Sequence, residues 1–307
     1  MTVKPKPYPK NIEARDDELP TIFYIETALA CNLRCPECFI GVGSNDRKKG
    51  LMSPEDFKSI WNKIGYAAEL AYFFMWGEPT MNKHLPEFIK IASKDAHIQI
   101  NTNGTLLNKD LLRNLYESGL GTLMFSIDGV TQEIYEKYRV GGNCQTAWNN
   151  LEMAAKLKED ENIKTEIIAN IIAFKHNEHE IEEFTDKCKQ IGVRSIVRPA
   201  YVRYGSVDQP TNNKYHHPYS ETEGKQLKLI SKCQHLNNTM TIGVGGETLL
   251  CTQDYGNIFG FPTLLDEKET LESLWNSKEY KAIRDNTRNM KSAHDICKNC
   301  VHYPLKK

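Results

Sequence analysis

Nine cysteines stand in a chain of 307 residues, and seven of them fall into two groups whose spacing suits metal chemistry. Cys31, Cys35 and Cys38 lie in the stretch CNLRCPEC, three and two residues apart, with no further cysteine or histidine nearby. A structural zinc site needs four ligands. Three thiolates instead hold three irons of a four-iron cluster and leave the fourth iron open. Cys233 and Cys251 are separated by seventeen residues, and Cys297 and Cys300 form a C-x2-C pair near the end of the sequence. Four thiolates ligate a second four-iron cluster completely. They also suit zinc, although a C-x17-C spacing followed by a distant C-x2-C is not a usual zinc-ribbon layout. Cys144 in GGNCQTAW and Cys188 in FTDKCKQ are left over. A free buried cysteine behaves as a small hydrophobe, which is the expectation for both.

The surrounding composition narrows the class. Thirty-nine basic and forty acidic residues nearly cancel, which argues against a nucleic-acid-binding surface. The start, MTVKPKPYPK, lacks the apolar core of a signal peptide. No apolar run is long enough to span a bilayer. The chain reads as soluble and cytoplasmic, a compartment where thiols stay reduced and cysteines are kept for metals rather than disulfides.

The elements that must position the cysteines alternate. TIFYIET reads as a first strand, rich in β-branched and aromatic residues. SPEDFKSIWNKI reads as a helix with Ser53 as N-cap and Pro54 at its first position. Strand-like AYFFMW, helical LPEFIKIASK, strand-like IQINTN and helical KDLLRNLYESG follow, the last stopped by Gly119. TLMFSID, NIKTEIIANIIAF and SIVRPA complete six strands, with helices over 145–159 and 178–190. Such alternation implies right-handed crossovers and a parallel sheet. The expectation is an α/β fold: a partial (β/α)6 barrel over 21–202 behind a tail of residues 1–20. A polar linker or mouth loop covers 203–232, and a small unit over 233–307 combines the hairpin MTIGVGGETLLC with the helix LESLWNSKEYKAIRDN. Parallel sheets of this kind carry their chemistry at the C-terminal strand ends.

The first cysteine group follows the first strand, and here the sequence resembles the radical S-adenosylmethionine (SAM) enzymes, whose signature is C-x3-C-x2-C. Most members place an aromatic residue before the last cysteine, where this chain has Glu37, with Phe39 after it. The resemblance extends to MWGEP at 75–79, where Trp76 replaces the first glycine of the family's Gly-Gly-Glu-Pro, to NTNG after the third strand and to SIDG after the fourth. It implies that the open iron binds the amino and carboxylate groups of SAM, and that the reduced 4Fe–4S cluster yields a 5′-deoxyadenosyl radical. It further implies Glu78 against the SAM ammonium, Asn103 in the same pocket, Ser126 and Arg139 at the SAM carboxylate, and Asn170 nearby.

The second cysteine group resembles the family's C-terminal SPASM extension in its shortened, twitch form. That resemblance implies an auxiliary 4Fe–4S cluster on Cys233, Cys251, Cys297 and Cys300, and a donor of low-potential electrons such as flavodoxin or ferredoxin as partner. The cysteine spacing is similar to that of aminocyclitol dehydrogenases within the family. This implies oxidation of a small sugar or cyclitol alcohol with the auxiliary cluster as electron acceptor, with Arg194, Arg198 and Tyr201 as candidate substrate contacts. The alternative is cross-linking or epimerisation of a ribosomally made peptide. Only about twenty residues precede the first strand, so the expectation is that the peptide-binding domain common in that group is absent or a separate protein, and an epimerase would give Cys144 a role as hydrogen donor. A non-catalytic electron carrier fits less well, since it has no use for an open iron.

Overall fold

The computed structural model describes residues 3–10, 18–43, 47–48, 50–200, 202, 204–215, 233–289, 295–298 and 300. Six strands run in parallel: β1 (Ile22–Ile25), β2 (Leu70–Tyr72), β3 (His97–Thr102), β4 (Thr122–Ser126), β5 (Glu166–Ala173) and β6 (Arg194–Pro199). The helices between them are α1 (Pro54–Ile64), α2 (Leu85–Ala92), α3 (Lys109–Glu117), α4 (Cys144–Asp160) and α5 (Ile181–Ile191). Each starts or stops for a local reason. Ser53, Asn108 and Asn143 accept the N–H of Asp56, Leu111 and Thr146 at the starts of α1, α3 and α4, satisfying donors that a helix start leaves unpaired. The C-terminal end of α5 closes on left-handed Gly192.

Side chains alternate across the sheet. Phe23, Ile25, Ala71, Phe73, Ile98, Ile100, Leu123, Phe125, Ala169 and Ile171 point to the helices and are fully buried. The other face encloses the barrel interior, and there the chain places Tyr24, Tyr72, Asn101, Met124, Ser126, Asn170 and Arg198. Tyr24 and Tyr72 stack with ring centroids 4.5 Å apart. Part of the N-terminal tail closes the floor: Tyr8 and Tyr72 share a hydroxyl hydrogen bond of 3.0 Å, and Val3 N donates to Glu117 O at 3.0 Å.

Three expectations are adjusted. The strand read from AYFFMW ends at Tyr72, and residues beyond it leave the ladder to shape the site loop. The C-terminal hairpin is not free-standing: β7 (Thr239–Ile242) pairs in parallel with β1, and β8 (Thr248–Leu249) pairs with β7 antiparallel. The sheet thus has eight strands in the order β6-β5-β4-β3-β2-β1-β7-β8. Finally, the helix read over LESLWNSKEYKAIRDN splits into α6 (Leu271–Trp275) and α7 (Lys278–Asn289). Ser277 restarts the chain there, its Oγ accepting from Tyr280 N at 3.3 Å. Among the described residues no helix is long and apolar enough to cross a membrane.

Candidate active site

The loop after β1 brings Cys31, Cys35 and Cys38 to the C-terminal mouth of the barrel, where all three line one cleft of about 720 Å³. A one-turn helix, Phe39–Val42, follows at once, and Cys38 N donates to Cys35 O at 3.1 Å. Burial pushes the Cys35 thiol up to about 12 and raises Cys31 as well. A bare thiolate is therefore costly here, and ionisation requires a bound cationic centre to offset desolvation. Donors already face the sulfurs. Leu33 N lies 3.3 Å from Cys31 Sγ, and Arg139 Nη1 lies 3.8 Å from Cys35 Sγ. Among the described residues no three Cys, His, Asp or Glu gather tightly enough for a lone metal ion. The donor set is three thiols from one loop, the number that holds a four-iron cluster by three of its irons.

Glu78 stands on the wall of the cleft and is 2% exposed. Its carboxylate accepts from Thr80 N, Thr80 Oγ1, Thr102 Oγ1 and Asn103 N at 2.6–3.1 Å. Burial raises its pKa against the pull of those donors, so a cation beside it would be favoured. Gly77 makes this turn possible: its φ is +110°, and a Cβ there would meet Ala28 O at 2.3 Å. Asn103 and Ser126 line the same cleft. Arg139 does too, held by Asp128, which accepts from its Nε at 2.6 Å. Asn170 stands one step back: its Nδ2 donates to Ser126 Oγ at 3.0 Å. Arg198 lines the cleft from the end of β6.

Other expected residues lie elsewhere. Arg194 sits at the opposite end of β6, exposed and paired with Glu166 at 2.8 Å, so it does not reach the cleft. Cys144 is buried at the start of α4, its Sγ 3.3 Å from Val130 O, in the core and away from the lining residues. Cys188 is fully buried in the core. Tyr201 and most of the 203–232 segment lie outside the described residues.

The auxiliary cysteines converge. The charges of Cys297 and Cys300 are felt at both Cys233 and Cys251. Burial pushes Cys233 up to about 12 and raises Cys251 further. Asp254 orders the Cys251 loop by accepting from Leu250 N and Ile258 N, and Tyr280 OH donates to Leu250 O at 3.1 Å.

Three residues of the site escape a reading of motifs. Glu37 is buried, and its two oxygens accept Tyr204 N and Ser206 N, each at 2.6 Å, fastening the segment after β6 to the cysteine loop. Its unusual place before Cys38 was the available signal. Gln253 lines the cleft although it belongs to the Cys251 loop. Tyr255, from the same loop, packs on Phe39 and Trp76. Neither of these two has a local sequence signal, because Gln253 reaches the cleft, and Tyr255 the rings of Phe39 and Trp76, through tertiary packing.

Residues 25–188 match the Radical SAM superfamily, and residues 233–301 match the SPASM iron–sulfur cluster-binding domain. The chain belongs to the radical SAM superfamily. It is accordingly an enzyme that uses SAM and a 4Fe–4S cluster, with an auxiliary iron–sulfur domain. Fe-coproporphyrin III synthase of Methanosarcina barkeri is 32% identical over 124 residues, covering 40% of this chain and 30% of that protein. The chain thus spans less than a third of that relative's length. Among solved structures, BtrN in complex with AdoMet and 2-DOIA superposes with a TM-score of 0.59 at 18% identity, covering 92% of this chain and 94% of that one. Streptococcus suis SuiB bound to its precursor peptide SuiA gives a TM-score of 0.65 at 16% identity, covering 92% of this chain and 70% of that one.

Proposed function

We propose that this chain oxidises an alcohol carbon of a small polar substrate, of the sugar or cyclitol class, with its auxiliary cluster as electron acceptor. The observation that carries this reading is the position of Gln253. It lines the cleft of Cys31, Cys35 and Cys38 while its backbone N–H lies 3.4 Å from Cys251 Sγ. An auxiliary ligand is therefore two residues from the wall that faces the substrate. The match in fold along nearly the whole of BtrN, solved with AdoMet and 2-DOIA together, supports a small-molecule substrate beside SAM.

When bound, the two clusters and SAM would supply the radical that removes the carbinol hydrogen atom and the sink for the remaining electron, while the hydroxyl proton passes to water in the cleft. The chain's own groups bind and orient. Glu78 faces the SAM ammonium through its one lightly used oxygen, a charge-assisted contact. Ser126, steadied by Asn170, and Arg139 take the SAM carboxylate, and Asn103 closes that side. The first cluster draws its electron from a small protein donor such as flavodoxin or ferredoxin.

The test is removal of the auxiliary ligands by changing Cys233, Cys251, Cys297 and Cys300 to Ala. Deuterium from labelled substrate then still enters 5′-deoxyadenosine, while oxidised product disappears. A purely structural cluster predicts that both fall together, because losing the metal would unfold the C-terminal unit. Full product formation from a folded variant with only the first cluster would refute the dehydrogenase reading. The second reading is modification of a peptide, favoured by the match in fold to SuiB bound to SuiA. It predicts turnover with a precursor peptide and none with polyols.

A further inference from the structure

The charged groups of the cleft pair off, with one exception. Arg139 is held by Asp128 at 2.6 Å and faces Cys35. Both oxygens of Glu37 are taken by backbone N–H groups, and Glu78 is enclosed by four donors. Arg198 differs. It lines the cleft with an exposed side chain, and its one side-chain contact among the described residues is Nη2 against Met124 Sδ at 3.6 Å. Thioether sulfur is a weak acceptor and carries no charge. Among the described residues, most of the five guanidinium donors therefore have no hydrogen-bond partner.

The position of Arg198 is as informative as its lack of a carboxylate. Its register partner on β5 is Ile172, at the C-terminal end of the strand, and its charge is felt by the Tyr72 hydroxyl across the barrel. Arg198 thus stands on the cleft wall at the C-terminal end of β6, with its guanidinium over Met124 on the barrel's inner face. A planar fork of donors in such a place matches two oxygens of one anion.

We propose that the substrate carries a carboxylate or phosphate group that Arg198 grips, so that it is a hydroxylated acid or a phosphorylated polyol rather than a neutral or amino polyol. This rests on the reading of the cleft as a site for a small polar substrate. Gripping the anion at Arg198 fixes one end of the substrate on β6 and leaves the rest to extend toward the cysteine loop. Arg198 is in that case the specificity-determining contact.

The experiment needs no turnover, so it can fail or succeed independently of the oxidation chemistry. The reconstituted holoenzyme is treated anaerobically with phenylglyoxal, an arginine reagent, and labelling is read residue by residue by mass spectrometry. The additions are SAM, then SAM with inorganic phosphate, with acetate, or with chloride at matched ionic strength. The expected result is ready labelling of Arg198 with SAM present. Phosphate or acetate then slows it by roughly tenfold relative to chloride, the scale of charge-assisted hydrogen bonds. Protection by phosphate alone assigns a phosphate ester, and protection by acetate assigns a carboxylate. Three results overturn the proposal: no labelling of Arg198 before any anion is added, full protection by SAM alone, or equal protection by chloride. As a second check, Arg198→Gln should weaken phosphate or acetate binding by a similar factor while Arg198→Lys retains part of it. Equal anion affinity in Arg198→Gln would also overturn the proposal.

Discussion

The ring of Phe39, directly after Cys38, packs 4.5 Å from the ring of Tyr255, four residues beyond Cys251. Trp76 stands against both, with centroids 4.3 Å from Phe39 and 6.1 Å from Tyr255. Each ring belongs to a different loop: the first cysteine loop, the segment before Glu78 and the auxiliary loop. The contact therefore ties the three loops together and gives Trp76, which stands where the family resemblance expects glycine, a packing role.

Removing this packing should uncouple hydrogen abstraction from oxidation. Tyr255→Ala loses two ring contacts, each worth about 0.5–1.5 kcal/mol beyond area burial. The expected outcome is retained 5′-deoxyadenosine formation with a lowered ratio of oxidised product to 5′-deoxyadenosine. Tyr255→Phe keeps both ring contacts and should hold the ratio nearer that of the unaltered enzyme. An unchanged ratio in Tyr255→Ala would show that the loop keeps its place without the ring.

Glu78 offers a test of the SAM pocket. Deleting its carboxylate removes a charged hydrogen-bond acceptor, worth about 1.5–3 kcal/mol, so Glu78→Ala should weaken SAM binding by roughly one to two orders of magnitude. Burial raises the pKa of Glu78, so the carboxylate is lost at a higher pH than in an ordinary glutamate. SAM affinity should accordingly fall on mild acidification in the unaltered enzyme and stay flat in Glu78→Ala. Equilibrium binding across pH measures both, and unchanged affinity in the variant would place the ammonium elsewhere.

The Glu37 tether concerns mobility rather than chemistry. Two backbone N–H groups at 2.6 Å hold residues 204–206 against the cysteine loop, and hydrogen bonds to a charged acceptor are worth about 1.5–3 kcal/mol each. Glu37→Ala should therefore raise amide hydrogen exchange over 204–208 while iron content stays at the level of the unaltered enzyme. Unaltered exchange in that segment would mean that other contacts hold it.

Much of this arrangement was legible before any coordinates, because its signals are local. The C-x3-C-x2-C loop, the caps at Ser53 and Pro54, and the Gly-Glu-Pro and Asn-Gly strand ends are all written within a few residues. The addition of β7 to β1 was not, since a hairpin's own sequence says nothing of which sheet edge receives it. Arg194 and Arg198 looked equivalent in the sequence. Four residues apart on one strand, they lie at opposite ends of it, and Arg194 meets Glu166 while Arg198 meets the cleft. The split between α6 and α7 at Asn276-Ser277 was not read from the sequence, because the apolar spacing continues on either side of it.

The join between hairpin and barrel rests on charge as well as on strand pairing. Arg47 sits between Glu26 at 2.6 Å and Glu247 at 2.5 Å, and Glu26 also accepts Val244 N at 3.1 Å. Glu26 directly follows β1, whereas Glu247 belongs to the turn of the hairpin, where a Cβ on Gly243 would strike Arg47 at 2.4 Å. Glu26 is fully buried, and burial pushes it up to about 7 against the pull of Arg47. A group whose pKa is raised on folding binds more protons in the folded state, so its contribution to stability is lost as pH rises from about 4.5 to about 7. Arg47→Met leaves a buried carboxylate unpaired, which costs about 3–5 kcal/mol. The variant must keep Glu26 protonated to stay folded, so its deficit should shrink as pH falls from 7.5 toward 5.5. Thermal unfolding of both proteins at the two pH values measures this. A deficit that is equal at both would mean that Arg47 acts by packing alone, with no charge of Glu26 to hold.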